Sequence, residues 1–421
     1  MAIIRPFSAV RPNPDVASAV AAVPYDVVST AEARTLASGN PLSFLRVSRP
    51  EVDLPADVHS NHDVVYRRAT ENFNELKRTV PFVVEERPSL YLYRLRSSDH
   101  EQTGVAGCFS LDEYDRNVIK RHEQTRRDKE DDRTRHLLAV GAQTGIAFLT
   151  YRFFEPVGTI VRRVVESCSL YDFVASDGVQ HTLWRLDPED TTAMVNAFVS
   201  IPAIYIADSH HRVASAARAR DRLGLMDSGD ALEARNFFIG TAFPDVETRI
   251  LPYNRVVTDL GGLTPANFLE AVHHRFTKVT CAGPTSLREH FSMYLKGEWH
   301  SFDLRQVKDR FDGTSPRNNL DVAILQTQLL SPVLGLTDVR SDPRISFVGG
   351  IHGTKVLERL VDEGEAVVAF SLAPVTTTEL MEVSDAAEMM PPKSTWFEPK
   401  LRDGLLIHSI SDRILSFSES S

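Results

Sequence analysis

The feature that most constrains this chain is a run of five polar residues set between an apolar stretch and an alanine-rich one. Ala203-Ile204-Tyr205-Ile206-Ala207 is short, apolar and rich in strand-favouring residues, whereas Val213-Ala214-Ser215-Ala216-Ala217-Arg218-Ala219 favours a helix. Asp208-Ser209-His210-His211-Arg212 lies between them. A loop that leaves a strand and opens a helix presents free amide N–H groups and the positive end of the helix dipole, which suits an anion such as phosphate. Arg212 adds a bidentate donor, and His210 and His211 add donors near neutral pH. Asp208 could hold Mg²⁺, orient a histidine or cap the helix. The competing reading is a capped and solvated first turn; five consecutive polar residues favour a site.

Around this unit the patterns of strand and helix alternate in mixed order, which implies an α/β fold of the mixed α+β kind rather than a regular βαβ array. Ser29-Thr30-Ala31-Glu32 has the form of a capping box, with Gly39 as the stop. Ala69, Phe73 and Leu76 place a second helix over Asp63–Arg78. Strands are expected at 90–95, 105–111, 146–151, 203–207 and 235–242, and as a pair within 171–186. Helices are expected ending near Gly145, over 157–167 and over 188–199, the last capped by Asp187. Beyond residue 262 helices are expected at 266–274, 320–330 and 354–362, and strands at 345–348 and 366–372. Asp303 to Asn319 reads as an exposed loop. The division that follows is an N-terminal α/β segment over 1–85, a core over 86–260 and a C-terminal α/β domain over 261–421.

At 421 residues the chain exceeds the about 250–300 residues at which single cores stop growing, so two or three domains are expected. A net charge of −10 argues against nucleic acid or an anionic membrane as the main partner, since both call for a basic face. The three cysteines, Cys108, Cys168 and Cys281, have no metal-site spacing and fit a reducing compartment. No signal peptide is evident at Met1–Pro6, and no stretch approaches the roughly 18 apolar residues of a membrane span. A cytoplasmic location is expected.

Two further constellations carry chemistry. Lys120-Arg121-His122-Glu123-Gln124-Thr125, followed by Lys129-Glu130-Asp131-Asp132-Arg133, sets a candidate general base beside candidate phosphate ligands, Lys129 and Arg133. Taken alone it is a charge run on a solvated helix face. Pro391-Pro392-Lys393-Ser394-Thr395 lacks the glycines of a P-loop, but its two prolines make a rigid approach that could fix Lys393 in a site. Pro24-Tyr25-Asp26, Asp177 to His181 and Leu251-Pro252-Tyr253-Asn254-Arg255 are turn-like segments that could place a polar side chain in a pocket.

Taken in order, Pro24-Tyr25-Asp26-Val27-Val28-Ser29, His122-Glu123-Gln124-Thr125 with Lys129-Glu130 and Arg133, Ala207 to Arg212, and Met390 to Thr395 with Phe397 and Pro399-Lys400 resemble the SerC-associated family known as domain of unknown function 1015. The resemblance covers essentially the whole chain. The Asp208–Arg212 segment in turn looks like the nucleotide-phosphate loop of the ParB/sulfiredoxin superfamily, which includes free L-serine kinases. The resemblance implies a ParB/sulfiredoxin-like core and a small-molecule kinase that moves a phosphoryl group from ATP or ADP, with Mg²⁺, to an alcohol such as free L-serine. It implies Glu123 as base, with Asp208 and His210 catalytic and Asp208 on the metal. It also implies Ser209, His211, Arg212, Lys129, Arg133, Lys393, Ser394 and Thr395 at phosphates, and Tyr25, Asp26 and His122 at substrate. The partners implied are a small-molecule substrate and a nucleotide. The alternatives are a ParB-like nucleotide-binding switch and a non-catalytic regulatory protein of the same fold.

Overall fold

The computed structural model describes residues 2–223, 234–280, 283–284, 287–305, 307 and 315–410. It is a mixed α/β protein with two compact units. The first comprises residues 1–121, 125–248 and 399–421; the second comprises 122–124 and 249–398. Residues 1–85 thus share a unit with most of 86–260, and the segment that begins at Pro399 returns to that unit.

The first unit is built on one mixed sheet. Its strands lie in the spatial order Ile119–Lys120, Ile204–Asp208, Ala147–Tyr151, Phe237–Pro244, Glu101–Ser110, Tyr91–Arg96, Gln180–Arg185 and Tyr171–Val174, and Ile4–Arg5 pairs with Glu101–Ser110. Ile204–Asp208 is parallel to Ile119–Lys120 and antiparallel to Ala147–Tyr151. Its register shifts between Ile206 and Asp208, where two residues face one on the neighbouring strand. Such a bulge re-aims the side chains that follow it, here Asp208.

The helices form where the caps and spacings require. Ser29 and Glu32 make both bonds of a capping box on Thr30–Ala37. Asp187 accepts from the Asp190 amide at the start of Pro188–Phe198. Asp63–Thr79 buries Val65, Tyr66, Ala69, Phe73 and Leu76 along one face. Arg127–Val140 packs against His210–Leu223, whose Ala214, Ala216, Ala217 and Ala219 are small enough to admit a close neighbour. The helix expected to end near Gly145 ends earlier, because Gly141 takes the left-handed cap at φ 73° and frees Ala142–Gln143 to pair with His408–Ser409. The strand expected at 105–111 starts at Glu101 and stops at Ser110, whose side chain caps a short helix, Leu111–Asp115.

The second unit carries an antiparallel sheet in the order Thr277–Val279, Glu298–Asp303, His290–Leu295, Val368–Leu372, Tyr253–Val257, Ile345–Gly349. The helix Lys355–Asp362 covers one face through Leu357 on Val256 and Ala369. A separate pair joins Ile250–Leu251 to Trp396–Phe397. The helix expected over 320–330 is a short α-turn, Asp321–Leu325, followed by a π-helical turn, Gln326–Leu330. Of the loop expected at 303–319, residues 306 and 308–314 lie outside the described residues, as does Cys281.

Candidate active site

The five-residue loop of the sequence contracts to a single linking residue. Asp208 closes the strand, His210 opens the helix, and only Ser209 lies between them. The Ser209 carbonyl accepts from the Arg212 and Val213 amides at 2.9 and 3.3 Å, so Ser209 holds the N-cap position. Its φ is 76°, the left-handed region that a residue with a Cβ enters at a cost of about 1–2 kcal/mol. The turn is tight because the strand end and the helix start must meet with no residue to spare. Substituting Ser209→Gly removes that strain but loosens the unfolded chain, so we expect a net gain of about 0.5–1 kcal/mol. A urea midpoint that falls below wild type would show that the Ser209 side chain contributes more than it strains.

Asp208 is engaged on both carboxylate oxygens. One accepts from the Ser209 amide and the other pairs with the ammonium of Lys400, which is largely buried. Lys400 stands within the Pro399-Lys400 motif, yet nothing in the spacing linked it to a residue 192 positions earlier. The Nε2 of His211 accepts from the Arg126 amide at 3.0 Å, which requires that nitrogen to be unprotonated. His210 is buried at the helix start.

Arg212 turns inward. Its two terminal nitrogens donate to Asp403 at 2.7 and 3.3 Å, with side-chain exposures of 12% and 4%. Burial disfavours the Arg212 charge, but Asp403 and then Asp26 outweigh it and hold its pKa above the ordinary value. At Asp403 burial prevails over Arg212, and the carboxyl sits above its usual range. The Tyr25 ring has two guanidinium groups near it, that of Arg133 at 4.3 Å and that of Arg212 at 5.4 Å. Burial pushes the Tyr25 phenol up, so it stays protonated. Asp26, beside it, is exposed.

These groups surround a cavity of about 50 Å³ whose lining includes Tyr25, Arg133, His136, Ser215, Arg212 and Asp403. Gly145 is required there: a Cβ at that position would lie 1.6 Å from an Arg212 terminal nitrogen. Arg133 is also held by Asp132 and donates to the Ser48 carbonyl at 3.2 Å. The rest of the charge run ties helices together, with Glu130 and Asp131 bound to Arg218, while Lys129 is exposed.

The strap that carries Lys400 and Asp403 is anchored by a buried polar chain. The Arg402 Nε donates to the His181 Nε2 at 3.2 Å, and the His181 Nδ1 meets the Tyr93 hydroxyl at 2.9 Å. Asp177 closes the chain on Arg402.

In the second unit His122 and Thr395 meet at 3.2 Å, and the Met390 amide donates to the His122 carbonyl at 2.8 Å. The Lys393 ammonium lies 5.7 Å from the Tyr253 ring centroid, and the Ser394 hydroxyl donates to the Pro391 carbonyl. Glu123 is half-buried in this unit.

Residues 4–323 match a family described as "Protein of unknown function (DUF1015)". The chain belongs to this family. No curated protein matches this DUF1015 chain. Among solved structures it is similar to a free serine kinase in complex with AMP, at 13% identity and a TM-score of 0.37, over 71% of this chain and 92% of that one. It is similar to SbnI with C-terminal truncation from Staphylococcus aureus, at 11% identity and a TM-score of 0.39, over 75% and 90%. A conserved hypothetical protein from Pyrococcus furiosus gives 14% identity and a TM-score of 0.35, over 72% and 94%. Likeness at these scores assigns no residue a role. No helix among the described residues is long and apolar enough to cross a membrane.

Proposed function

We propose that this DUF1015 protein is a phosphotransferase that moves a nucleotide phosphoryl group to a small alcohol, with free L-serine as the acceptor and O-phosphoserine as the product. The observation that carries the reading is the turn itself. A strand-end carboxylate, Asp208, stands beside the cation Lys400, and the chain then enters a helix through one left-handed residue. Helix-start amides, a lysine and an aspartate are the groups that phosphoryl transfer uses, since that reaction depends on position and charge neutralisation more than on covalent catalysis.

In this reading the amides of the His210 turn and the ammonium of Lys400 hold the nucleotide phosphates. Asp208 would hold Mg²⁺, which neutralises phosphate charge, once Lys400 turns from the carboxylate to the phosphate. The acceptor oxygen attacks the terminal phosphorus, the bond to the bridging oxygen breaks, and ADP leaves from ATP or AMP from ADP. A carboxylate base takes the hydroxyl proton, the role that the family resemblance gives Glu123. His211 and Ser209 shape the phosphate end, Lys129 is a secondary phosphate ligand, and Tyr25 and Asp26 contact substrate. Arg133 and Arg212 act differently from the sequence expectation: each is already paired with an aspartate, so they lend a fixed field rather than free donors.

The test is incubation of the full chain with ATP or ADP, Mg²⁺ and L-serine, followed by mass spectrometry for O-phosphoserine. Asp208→Asn should lower the rate by about 10²–10³, the range for losing one charge-organising group. The absence of product with either donor overturns the reading. Nucleotide binding without product would then favour a ParB-like switch, and no nucleotide binding a non-catalytic role.

A further inference from the structure

A buried arginine in the second unit lacks a counter-charge. Arg255, in the strand Tyr253–Val257, is 3% exposed. Among the described residues, no carboxylate pairs with it. Its terminal nitrogens donate to two main-chain carbonyls, those of Tyr253 and Lys393, the second at 3.2 Å, and the guanidinium lies 5.5 Å from the Phe347 ring centroid. Three other inward-facing arginines have acidic partners: Arg11 has Glu85, Arg212 has Asp403 and Arg402 has Asp177. Burial without an acidic neighbour pulls the Arg255 pKa down to about 10. Two carbonyl dipoles use only part of a guanidinium's five N–H groups and leave its charge uncompensated.

The surroundings tie this charge to the segment that carries a second cation, Lys393. Strand alternation sets Tyr253 and Arg255 on one face, opposite Gly349 and Phe347 of the neighbouring strand. Trp396 packs on the bare backbone of Gly349, where a Cβ would lie 2.6 Å from the indole, and meets Tyr253 edge-on at 5.3 Å. Lys393 is exposed, has a left-handed φ of 55° and extends its ammonium over Tyr253, while its carbonyl accepts from Arg255. The strained lysine is thus tied through its own backbone to the buried guanidinium.

We propose that Arg255 and Lys393 form an oxyanion site within the second unit, and that its ligand is a phosphate group. Arg255 supplies a fixed, desolvated charge from below, and Lys393 supplies the solvent-facing one. Two cations suit a phosphate dianion better than a carboxylate monoanion. The site stands on the missing counter-charge and not on the phosphoryl-transfer reading.

The experiment is calorimetric titration of the full chain with inorganic phosphate at fixed ionic strength, with acetate as the carboxylate arm. We expect phosphate to bind and acetate not to. Arg255→Met and Lys393→Gln should each raise the Kd of one phosphate equivalent at least tenfold, whereas Lys400→Met should leave that equivalent in place. If Arg255→Met does not fold, Lys393→Gln, at an exposed position, carries the test. Phosphate binding no stronger than acetate binding overturns the proposal, as does binding that survives both second-unit substitutions. A kinase assay without product leaves it standing.

Discussion

Lowering the pH from 7 to 5 is expected to remove several kcal/mol of stability, well above the range where most carboxylates titrate. Three buried histidines of the first unit cause this. Burial, and then the neighbouring Arg133, bring His136 down to about 4. Burial, and then Arg402, bring His181 to about 3. Burial brings His408 to about 4 against the opposing bond to the Ala234 carbonyl. An unfolded histidine titrates near 6.5. Between about pH 4 and 6.5 the unfolded chain therefore binds more protons, and stability rises with pH across that window. At pH 5 each histidine costs about 2 kcal/mol. Asp321 in the second unit, which burial lifts to about 6, works in the opposite sense by about 1 kcal/mol, and burial raises Asp403, Glu113 and Glu247 in that same sense. A net loss of a few kcal/mol remains, to be read from urea midpoints at pH 7 and 5. Equal midpoints at the two pH values would refute the account. A His408→Asn variant, which keeps a donor for the Ala234 carbonyl but cannot charge, should flatten the slope by at least a third.

What the sequence disclosed and what it hid divide along physical lines. Short-range patterns were legible: the Ser29–Glu32 box, the Asp187 cap, the apolar face of Asp63–Thr79 and the strand–turn–helix at Asp208 are all set by residues within a few positions of one another. The π-helical turn after Leu325 was not, because its spacing differs from that of an α-helix by a single residue per turn. The site was half legible. Asp208, Tyr25, Arg133 and Arg212 stand out by residue type and order, and the last three line one cavity. Their fixed partners, Lys400 and Asp403, lie about 190 positions away along the chain. One signal for the strap was present: Asp403-Gly404 is a turn pair, and Gly404 has φ 87°. Charge alone misled at Arg212, which reads as a phosphate donor and is instead held by a buried carboxylate. Nothing local distinguishes a guanidinium waiting for a ligand from one that already has a partner.

That partner yields the second large effect. Replacing Asp403 by alanine should cost about 3–5 kcal/mol, because Arg212 would remain buried beside Tyr25 with its counter-charge gone. Arg212→Ala should cost a similar amount by stranding Asp403. The informative variant is the double replacement Arg212→Met with Asp403→Leu. Buried ion pairs add little stability over apolar residues of similar volume, since desolvation consumes most of the attraction. The double variant should therefore recover most of what either single change loses, and Gly145, which leaves room for the guanidinium, gives the new side chains space. If, as proposed, the Asp208 turn binds nucleotide and the pair holds the strap so that Lys400 meets Asp208, the stable double variant will bind nucleotide weakly despite a denaturation midpoint close to wild type. Recovery of both stability and nucleotide binding would mean that the pair does not position Lys400. Failure to recover stability would mean that the attraction between Arg212 and Asp403 exceeds the cost of burying them.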